Sequence, residues 1–289
     1  MVKKLTDILF DKKIISNDEI VVNLKLITNR YNINTYHLET NKRKYILKSQ
    51  NKKDDKLSIQ RDIYYHLKPH PLFSVEVYYC DKNICLVEYI ENNKTEITIN
   101  HYELIAKKLA DLHLHTSTFF GYNFDTYLGN VLQNNKLNKS WCDFFLNQRY
   151  DFYLNKIRKQ NYLSSALLHK LLSFRDCIKD RLLEPNQPGL IHGDIWLENI
   201  LIKGNQVCKI IDPAIFYSDP EYELAYIYLN GTFAKGFYER YNYYNPISKE
   251  FWNYKIYLYQ IIPLMQYTLM NSPIYLIEIE KLVNFINKN

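Results

Sequence analysis

The sequence predicts an α+β fold of two lobes, a small antiparallel β-rich lobe at residues 1–90 and a larger, mostly helical lobe at residues 91–289. Two observations predict this division: strand-like segments dominate the first ninety residues, and apolar spacings of three and four dominate the rest. A third observation is one β-rich interruption, at residues 190–213, inside the helical part. With 289 residues, 47% of them hydrophobic, the chain can bury two such cores.

The small lobe is predicted to be an antiparallel sheet with one inserted helix. Its expected strands are Ile20–Ile27, Thr35–Thr40, Lys44–Lys48, Val75–Cys80 and Ile84–Ile90. The helix is expected over Lys56–Leu67, where Leu57, Ile63 and Leu67 lie near one face and Pro69 ends it. In the large lobe, helices are expected over Tyr102–His115, Trp141–Lys159 and Leu163–Leu183.

Composition excludes several classes of protein. The net charge of +6 comes without a dense Lys/Arg stripe, so we expect no nucleic-acid partner. No run approaches 18 apolar residues, so we expect no membrane span. The five cysteines include no CxxC pair, and the N-terminal stretch, whose apolar part is short and interrupted by acidic residues, does not resemble a signal peptide. A cytoplasmic protein with reduced cysteines follows as the expectation; the oligomeric state is not predicted.

The β-rich interruption, IHGDIWLENILIKGNQVCKIIDPA, carries the chemistry. Its two apolar runs flank KGNQ and should pair as a hairpin, which would bring Asn199 near Asp212. Two such oxygen ligands suit Mg²⁺, which keeps waters and shares phosphate oxygens. Asp194, five residues before Asn199, suits a base that orients a hydroxyl nucleophile, so the set predicts phosphoryl transfer. Gly193 is expected to let the loop turn tightly, and His192 to brace it by hydrogen bonding.

A phosphoryl-transfer site also needs contacts to the nucleotide, which the small lobe should supply. Lys48 follows an apolar pair on a predicted strand and is the candidate for contacting the ATP phosphates. Asp62, on the inserted helix, is the candidate carboxylate partner of Lys48. Glu88, Tyr89 and Ile90 lie where a hinge would offer backbone groups to adenine.

Four stretches resemble one family. They are HGDIW, IIDPAIFYSDPEYELAY, FGYNFDTYLGNVLQNN and SWCDFFLNQRY, and their order and spacing are similar to those of the fructosamine kinase (ketosamine 3-kinase) family. This family lies within the protein-kinase-like fold of aminoglycoside and choline phosphotransferases. The resemblance covers nearly the whole chain, and the last two stretches are not shared by kinase-like folds in general.

The resemblance implies an ATP- and Mg²⁺-dependent kinase. Asp194 would be the catalytic base, Asn199 and Asp212 would hold Mg²⁺, Lys48 would contact the ATP phosphates, and Glu88–Ile90 would form the hinge. The substrates would be ketosamines, the sugar adducts of amines or protein lysines, phosphorylated on the sugar 3-hydroxyl. The product breaks down and frees the amine, which is a deglycation repair. Ribulosamines, erythrulosamines and fructosamines are the sugars that the family implies.

Further polar residues have two open interpretations each. Trp196 could line the sugar pocket or plug the loop, and Gln133 and Asn135 could bond sugar hydroxyls or stabilise a turn. The acids of the YSDPEYE stretch, Asp219, Glu221 and Glu223, are interpreted as helix-start and loop-bracing groups. The alternative is that one of them meets a second metal or a substrate amine. Arg149 is interpreted as structural.

Departures from the family pattern keep two other functions open. The family's small lobe begins with a Gly-Gly turn, whereas this chain has ITNRYNIN, which keeps Ile33 and Asn34 without glycine. Arg30 could compensate by contacting phosphate. One alternative is a kinase of the same fold acting on another alcohol, such as an aminoglycoside, choline or a free sugar. The other is a nucleotide-binding pseudokinase.

Overall fold

The antiparallel sheet and the helical region predicted from the sequence are both present, so the α+β fold class is confirmed. The computed structural model describes residues 8–12, 14–16, 18–51, 54–93, 96–270 and 273–288. The chain divides into two compact units, one of residues 1–95 with 201–211 and the other of residues 96–200 with 212–289. The segment 201–211 therefore belongs with the first unit, whereas the sequence assigned it to the large lobe.

The first unit contains a five-stranded antiparallel sheet of order β1-β2-β3-β5-β4. Its elements are β1 (Val21–Arg30), β2 (Ile33–Thr40), β3 (Lys44–Gln50), helix α1 (Ser58–His66), β4 (Val77–Cys80) and β5 (Ile84–Glu88). Side chains alternate between the two faces of the sheet. Leu47 therefore packs in one apolar cluster and its neighbour Ile46 against another, the one that contains Leu57 and Tyr64.

The turn between β1 and β2 keeps a tight geometry without glycine. Arg30 pairs with Ile33, so the loop consists of only Tyr31 and Asn32. Both have positive φ, 55° and 64°, which is the pattern of the two-residue turns that match the twist of a hairpin. Asparagine tolerates this left-handed region, but for tyrosine it is strained. The missing glycines therefore leave the two-residue turn in place and add strain at Tyr31.

Two cysteines in this unit are bonded to each other. Cys80 and Cys85 are register partners on β4 and β5, and their Cα atoms lie 4.1 Å apart. They form a disulfide, so the prediction that the cysteines are all reduced is wrong for this pair. The cause is the register of the hairpin, which places the two side chains directly opposite each other. Cys142, Cys177 and Cys208 are free.

The second unit is mostly helical. Its helices are α2 (Ile99–His113), α3 (Trp141–Phe144), α4 (Asp151–Lys159), α5 (Ser165–Arg181), α6 (Pro220–Leu229), α7 (Lys235–Tyr244), α8 (Ile256–Met270) and α9 (Tyr275–Lys288). The π-helical segments Phe145–Tyr150 and Phe251–Lys255 lead into α4 and α8. Among the described helices, none combines the length and the apolarity needed to cross a lipid bilayer.

Short strand pairs position the loops of the second unit. They are β6 (Thr126–Leu128) with β7 (Val131–Gln133), and β8 (Gly189–Ile191) with β11 (Phe216–Ser218). The hairpin of β9 (Ile200–Lys203) and β10 (Gln206–Ile210) forms as predicted, whereas β6, β7 and β11 were not predicted. Because β8 and β11 are antiparallel, Ile191 at the end of β8 lies opposite Phe216 at the start of β11, so the loop after β8 lies beside the segment that leads into β11.

Candidate active site

The loop that follows β8 contains HGD, and it packs closely against the segment 212–214. His192 O accepts a 2.8 Å hydrogen bond from Ala214 N. Gly193 has φ of 84°, and a Cβ atom there would lie 2.4 Å from the backbone oxygen of Ala214. Both the left-handed conformation and the close approach require glycine at this position. Gly193 therefore takes the role that was predicted for it in the tight turn.

Glu223, on α6, fixes the backbone of the HGD loop. Its buried carboxylate accepts hydrogen bonds from the backbone N–H groups of His192, at 3.1 Å, and Gly193, at 2.5 Å. It also lies 2.9 Å from Nε2 of His113, which is fully buried on α2. Burial alone would raise the pKa of Glu223, but the bond with His113 and the backbone donors lower it below its usual value. Glu223 is therefore a loop-bracing carboxylate, as interpreted.

Four atoms of Asp194 take part in hydrogen bonds that fix its position. Tyr226 donates its hydroxyl to Oδ1 at 2.6 Å, and Asn199 Nδ2 donates to Oδ2 at 3.0 Å and to the backbone oxygen at 2.8 Å. The Asp194 N–H donates to Nδ1 of His192 at 3.2 Å, in keeping with a bracing role for that ring. Burial raises the pKa of Asp194 to about 7, the two side-chain hydrogen bonds oppose the rise, and the charge of Asp212 adds to it. The carboxylate therefore has a fixed orientation and a perturbed pKa, as expected at a reaction centre.

Asn199 and Asp212 lie beside this carboxylate. Asn199 is buried at the end of the 3₁₀ turn Leu197–Asn199, and because its amide nitrogen bonds to Asp194, its oxygen is the atom left to face a cation. Asp212 follows β10 with φ of 57°, a conformation that Asp tolerates better than most residues. Within the described ranges, no group of three or more His, Cys, Asp or Glu could hold a metal. Two oxygen ligands fit Mg²⁺, which takes its other ligands from phosphate and water.

The two amide residues proposed to face the substrate are buried and bonded to the protein. Gln133 Nε2 donates to Ala214 O and to Thr126 Oγ1, both at 3.2 Å. Asn135 Nδ2 donates to Thr126 Oγ1 at 2.9 Å, and its oxygen accepts from Arg149 at 2.7 Å. Both are at most 2% exposed. The structure favours the second of their two interpretations, support of a turn, over direct contact with a sugar.

Arg149 is part of the same support. It is fully buried, and its guanidinium lies between the rings of Phe144 and Phe216, 4.7 and 4.2 Å from their centroids. One of its nitrogens donates to the backbone oxygen of Asn134 at 2.5 Å. Burial lowers the pKa of Arg149, and cation–π contacts and carbonyl acceptors offset part of the cost of its burial. The structural interpretation holds. Trp196 is only half-buried, and its two interpretations stay open.

The acids at the start of α6 are neutralised internally. Asp219 accepts from Glu221 N at 2.9 Å and so caps the helix. Lys255 Nζ lies 2.8 Å from Asp219 Oδ2 and also contacts Glu221, and the Tyr259 hydroxyl donates to Asp219 as well. All four of these side chains are buried. This geometry supports the helix-start interpretation, because carboxylates paired in this way leave little charge for a substrate amine.

In the first unit, the described contact of Asp62 is with Arg61, not with Lys48, the partner that the sequence predicted. Lys48 is 8% exposed on β3, opposite Thr35 on one side and Cys85 on the other. Asp62 is 52% exposed on α1, and its carboxylate contacts the neighbouring Arg61 at 3.5 Å. The physical reason is the helix face, since the buried residues of α1 are the two that follow Asp62. The role of Asp62 toward ATP therefore stays a prediction.

Gln60, rather than Asp62, is the polar residue of α1 on the buried face of the helix. It lies three and four positions before the buried Ile63 and Tyr64, which places it on the same face of the helix. Its Oε1 atom is buried without a hydrogen-bond partner among the described residues. The apolar stripe of Leu57, Ile63 and Leu67 already marked this face in the sequence, and Gln60 lies within that stripe.

The predicted hinge follows the end of β5. Glu88 exchanges hydrogen bonds with Glu76, whose backbone oxygen accepts from the Glu88 N–H at 2.9 Å. The Tyr89 ring lies 4.7 Å from the ring of His37. Ile90 packs against the apolar cluster that contains Val87. The three residues are placed by contacts within the first unit, and their role toward adenine stays a prediction.

Tyr226 is the site residue that the sequence analysis did not identify. It lies on α6, three residues after Glu223, so both side chains point from the same face of the helix toward the HGD loop. Only the knowledge that Glu223 meets the loop would have indicated it. Tyrosine at this position supplies a hydroxyl to a carboxylate that is 32 residues away in the chain.

The chain is similar to a set of known proteins in both sequence and fold. The model of the fructosamine kinase family matches residues 25–288. A probable ketoamine kinase of Enterococcus faecium is 28% identical over 200 residues, 68% of this chain and 70% of that protein. A chloroplastic protein-ribulosamine 3-kinase of Arabidopsis thaliana is 29% identical over 143 residues, 47% of this chain and 42% of that protein. A crystal structure assigned as a fructosamine-3-kinase from Thermobifida fusca has a TM-score of 0.83 at 21% identity, covering 94% of this chain and 95% of that one.

Proposed function

Because this chain belongs to the fructosamine kinase family and is an ATP-dependent kinase, we propose that its acceptor is the 3-hydroxyl of a ketosamine, the adduct of a sugar with an amine. The names of its relatives, ketoamine kinase and protein-ribulosamine 3-kinase, support this substrate class. Breakdown of the unstable product, by loss of the phosphate and hydrolysis of the bond between sugar and amine, would free the amine. The reaction would then act as a deglycation repair.

The observation that carries the proposal is the fixed carboxylate of Asp194 beside Asn199 and Asp212. In this mechanism Asp194 accepts a hydrogen bond from the acceptor hydroxyl and orients its oxygen toward the γ-phosphate. A positioned base of this kind typically contributes on the order of a hundredfold or more to the rate. The loop that holds Asp194 is rigid because Gly193 and Glu223 fix its backbone.

The nucleotide requires positive charge. Asn199 Oδ1 and the Asp212 carboxylate are the groups that would hold Mg²⁺, which when bound neutralises charge on the phosphate oxygens. Lys48 would contact the phosphates, and Glu88–Ile90 would offer backbone groups to adenine. These roles rest on the resemblance and on the strand and loop positions of the residues.

An aminoglycoside acceptor is less well supported. A polycationic antibiotic needs exposed carboxylates, and the three acids at the start of α6 are engaged within the protein. Asp219 and Glu221 pair with Lys255, and Glu223 is bonded to the loop itself. The pairing of these three acids therefore favours a neutral polyol such as a sugar over a polycationic acceptor.

The test is ADP release with Mg-ATP and a panel of ribuloselysine, fructoselysine, choline and kanamycin. We expect turnover of one of the ketosamines, and Asp194→Asn should lower kcat by about a hundredfold or more. The matched control is Glu198→Gln, an exposed acid in the same loop. Turnover of choline or kanamycin alone would show that the acceptor is not a ketosamine. Nucleotide binding without any turnover would favour the pseudokinase.

A further inference from the structure

The two oxygens of the Asp194 carboxylate are held by different donors. The Tyr226 hydroxyl lies 2.6 Å from Oδ1, and Asn199 Nδ2 lies 3.0 Å from Oδ2. The torsion that turns an aspartate carboxylate is broad and roughly two-fold, so the side chain alone does not fix its plane. One donor on each oxygen does fix it, and the hydroxyl-to-carboxylate bond is of the short, charge-assisted kind.

Tyr226 can act as a fixed donor because its own position is closed by a ring of contacts. Asn230 Nδ2 donates to the Tyr226 backbone oxygen at 2.9 Å, and Asn230 Oδ1 accepts from the Tyr267 hydroxyl at 2.9 Å. The Tyr267 hydroxyl also interacts with that of Tyr226, and their ring centroids lie 6.5 Å apart. Tyr226 is 6% exposed, whereas Tyr267 is half-buried.

The Tyr226 hydroxyl also keeps its proton. Burial raises its pKa well above the usual value, and the negative charge of Asp194 adds to the rise. The Tyr226 hydroxyl therefore stays a hydrogen-bond donor to the carboxylate at the pH values at which enzymes ordinarily work. The negative charge of the Asp194 carboxylate strengthens this hydrogen bond.

We propose that Tyr226 is a positioning residue that sets the plane of the Asp194 carboxylate, so that its remaining lone pairs face the acceptor hydroxyl. The proposal rests on the kinase reaction described above, in which Asp194 is the base. Tyr226 itself touches neither substrate nor nucleotide in this role. Tyr267 and Asn230 act indirectly, because they hold the Tyr226 side chain in place.

The first test is Tyr226→Phe, which removes one oxygen atom and keeps the ring. We expect kcat to fall about tenfold, the loss anticipated for a hydrogen bond to a charged group, with the KM for ATP and the melting temperature unchanged. Tyr228→Phe is the matched control, because it lies on the same helix but is 45% exposed and packs on Tyr238. Tyr267→Phe should give a smaller fall in kcat. Unchanged kcat in Tyr226→Phe would overturn the proposal, and so would a loss that follows a lower melting temperature.

The second test is a double-mutant cycle with Asp194→Asn. If Tyr226 acts through the carboxylate, Tyr226→Phe should cost nothing further in the Asp194→Asn background. The same fold loss in both backgrounds would show a general structural role and overturn the proposal. The cycle can be run on ATP hydrolysis as well as on the ketosamine. Failure of the ketosamine assignment alone would therefore remove the acceptor and leave this test intact.

Crystal structures of the wild type and Tyr226→Phe give a readout that needs no turnover. We expect the Asp194 carboxylate plane to rotate in the variant while the backbone of residues 192–199 stays in place. An unrotated carboxylate would overturn the proposal.

Discussion

The HGD loop of the second unit and the nucleotide-binding candidates of the first unit are built in opposite ways. In the loop, a buried network fixes each functional group, as Glu223 does for the backbone and Tyr226 for Asp194. In the first unit, Asp62 is exposed, Gln60 has a buried oxygen without a described partner, and Tyr31 occupies a strained turn. The comparison teaches that side-chain contacts fix the Asp194 carboxylate, whereas Asp62 and Gln60 of the first unit have no comparable network of described contacts.

The largest effect should come from Gly193→Ala. The new Cβ would meet the Ala214 backbone oxygen at 2.4 Å, so the loop must move away from the segment that contains Asp212. We expect a loss of about 4 kcal/mol in the free energy of unfolding, together with near-complete loss of turnover. Urea unfolding and ADP release measure the two effects.

Gly231→Ala is the control for this variant. Gly231 also has positive φ, at 59°, but nothing lies within 4 Å of its added Cβ. It should cost only the conformational strain, about 1 kcal/mol. Equal losses for the two variants would mean that strain, not the close approach to Ala214, decides the cost, and the rigid-loop side of the comparison would fail.

The next largest effect should come from Glu223→Gln. Removing the charge weakens the buried hydrogen bond with His113 and those to the loop N–H groups, at about 3 kcal/mol of unfolding free energy near neutral pH. Because the pKa of Glu223 is lowered in the folded protein, its contribution is present above the usual value of 4.5 and is lost as pH falls through the folded pKa. The stability difference between wild type and variant should therefore shrink in acid.

Unfolding curves at several pH values, with Glu198→Gln as the exposed control, check this prediction. A difference that does not change between neutral and acid pH would indicate that packing, not charge, holds the loop. In that case the contrast between the polar network of the HGD loop and the first unit would fail.

The smallest effect concerns α1. Gln60→Ala should raise the KM for ATP about fivefold, since it removes the polar group on the buried face of the helix. Asp62→Asn should change it less than about twofold, because the carboxylate is exposed and contacts Arg61. Steady-state kinetics at varied ATP measures both. A larger effect for Asp62→Asn would show that this exposed carboxylate takes part in nucleotide binding. That result would contradict the contrast between the two units.

Spacing in the sequence was enough for some of these groups and not for others. Asp194 and Asn199 lie within one short loop, so five residues of spacing carried their relation. Tyr226 meets Asp194 across 32 residues of chain, in a part of the fold where β8 pairs with β11, two short strands whose pattern is too weak to predict. Gln60 was readable from the helix period but was passed over for a charged neighbour. The fold class followed directly from the periodicity of long segments.

The bridge between Cys80 and Cys85 gives the first unit a chemical state as well as a shape. It ties β4 to β5, and Cys85 is the register partner of Lys48 on β3. Closing so short a loop is worth about 2 kcal/mol by the entropy of the unfolded chain. A preparation kept in strong thiol and one kept without it are therefore two different samples of this protein. Assays of nucleotide affinity are comparable only when the thiol content of the buffer is the same.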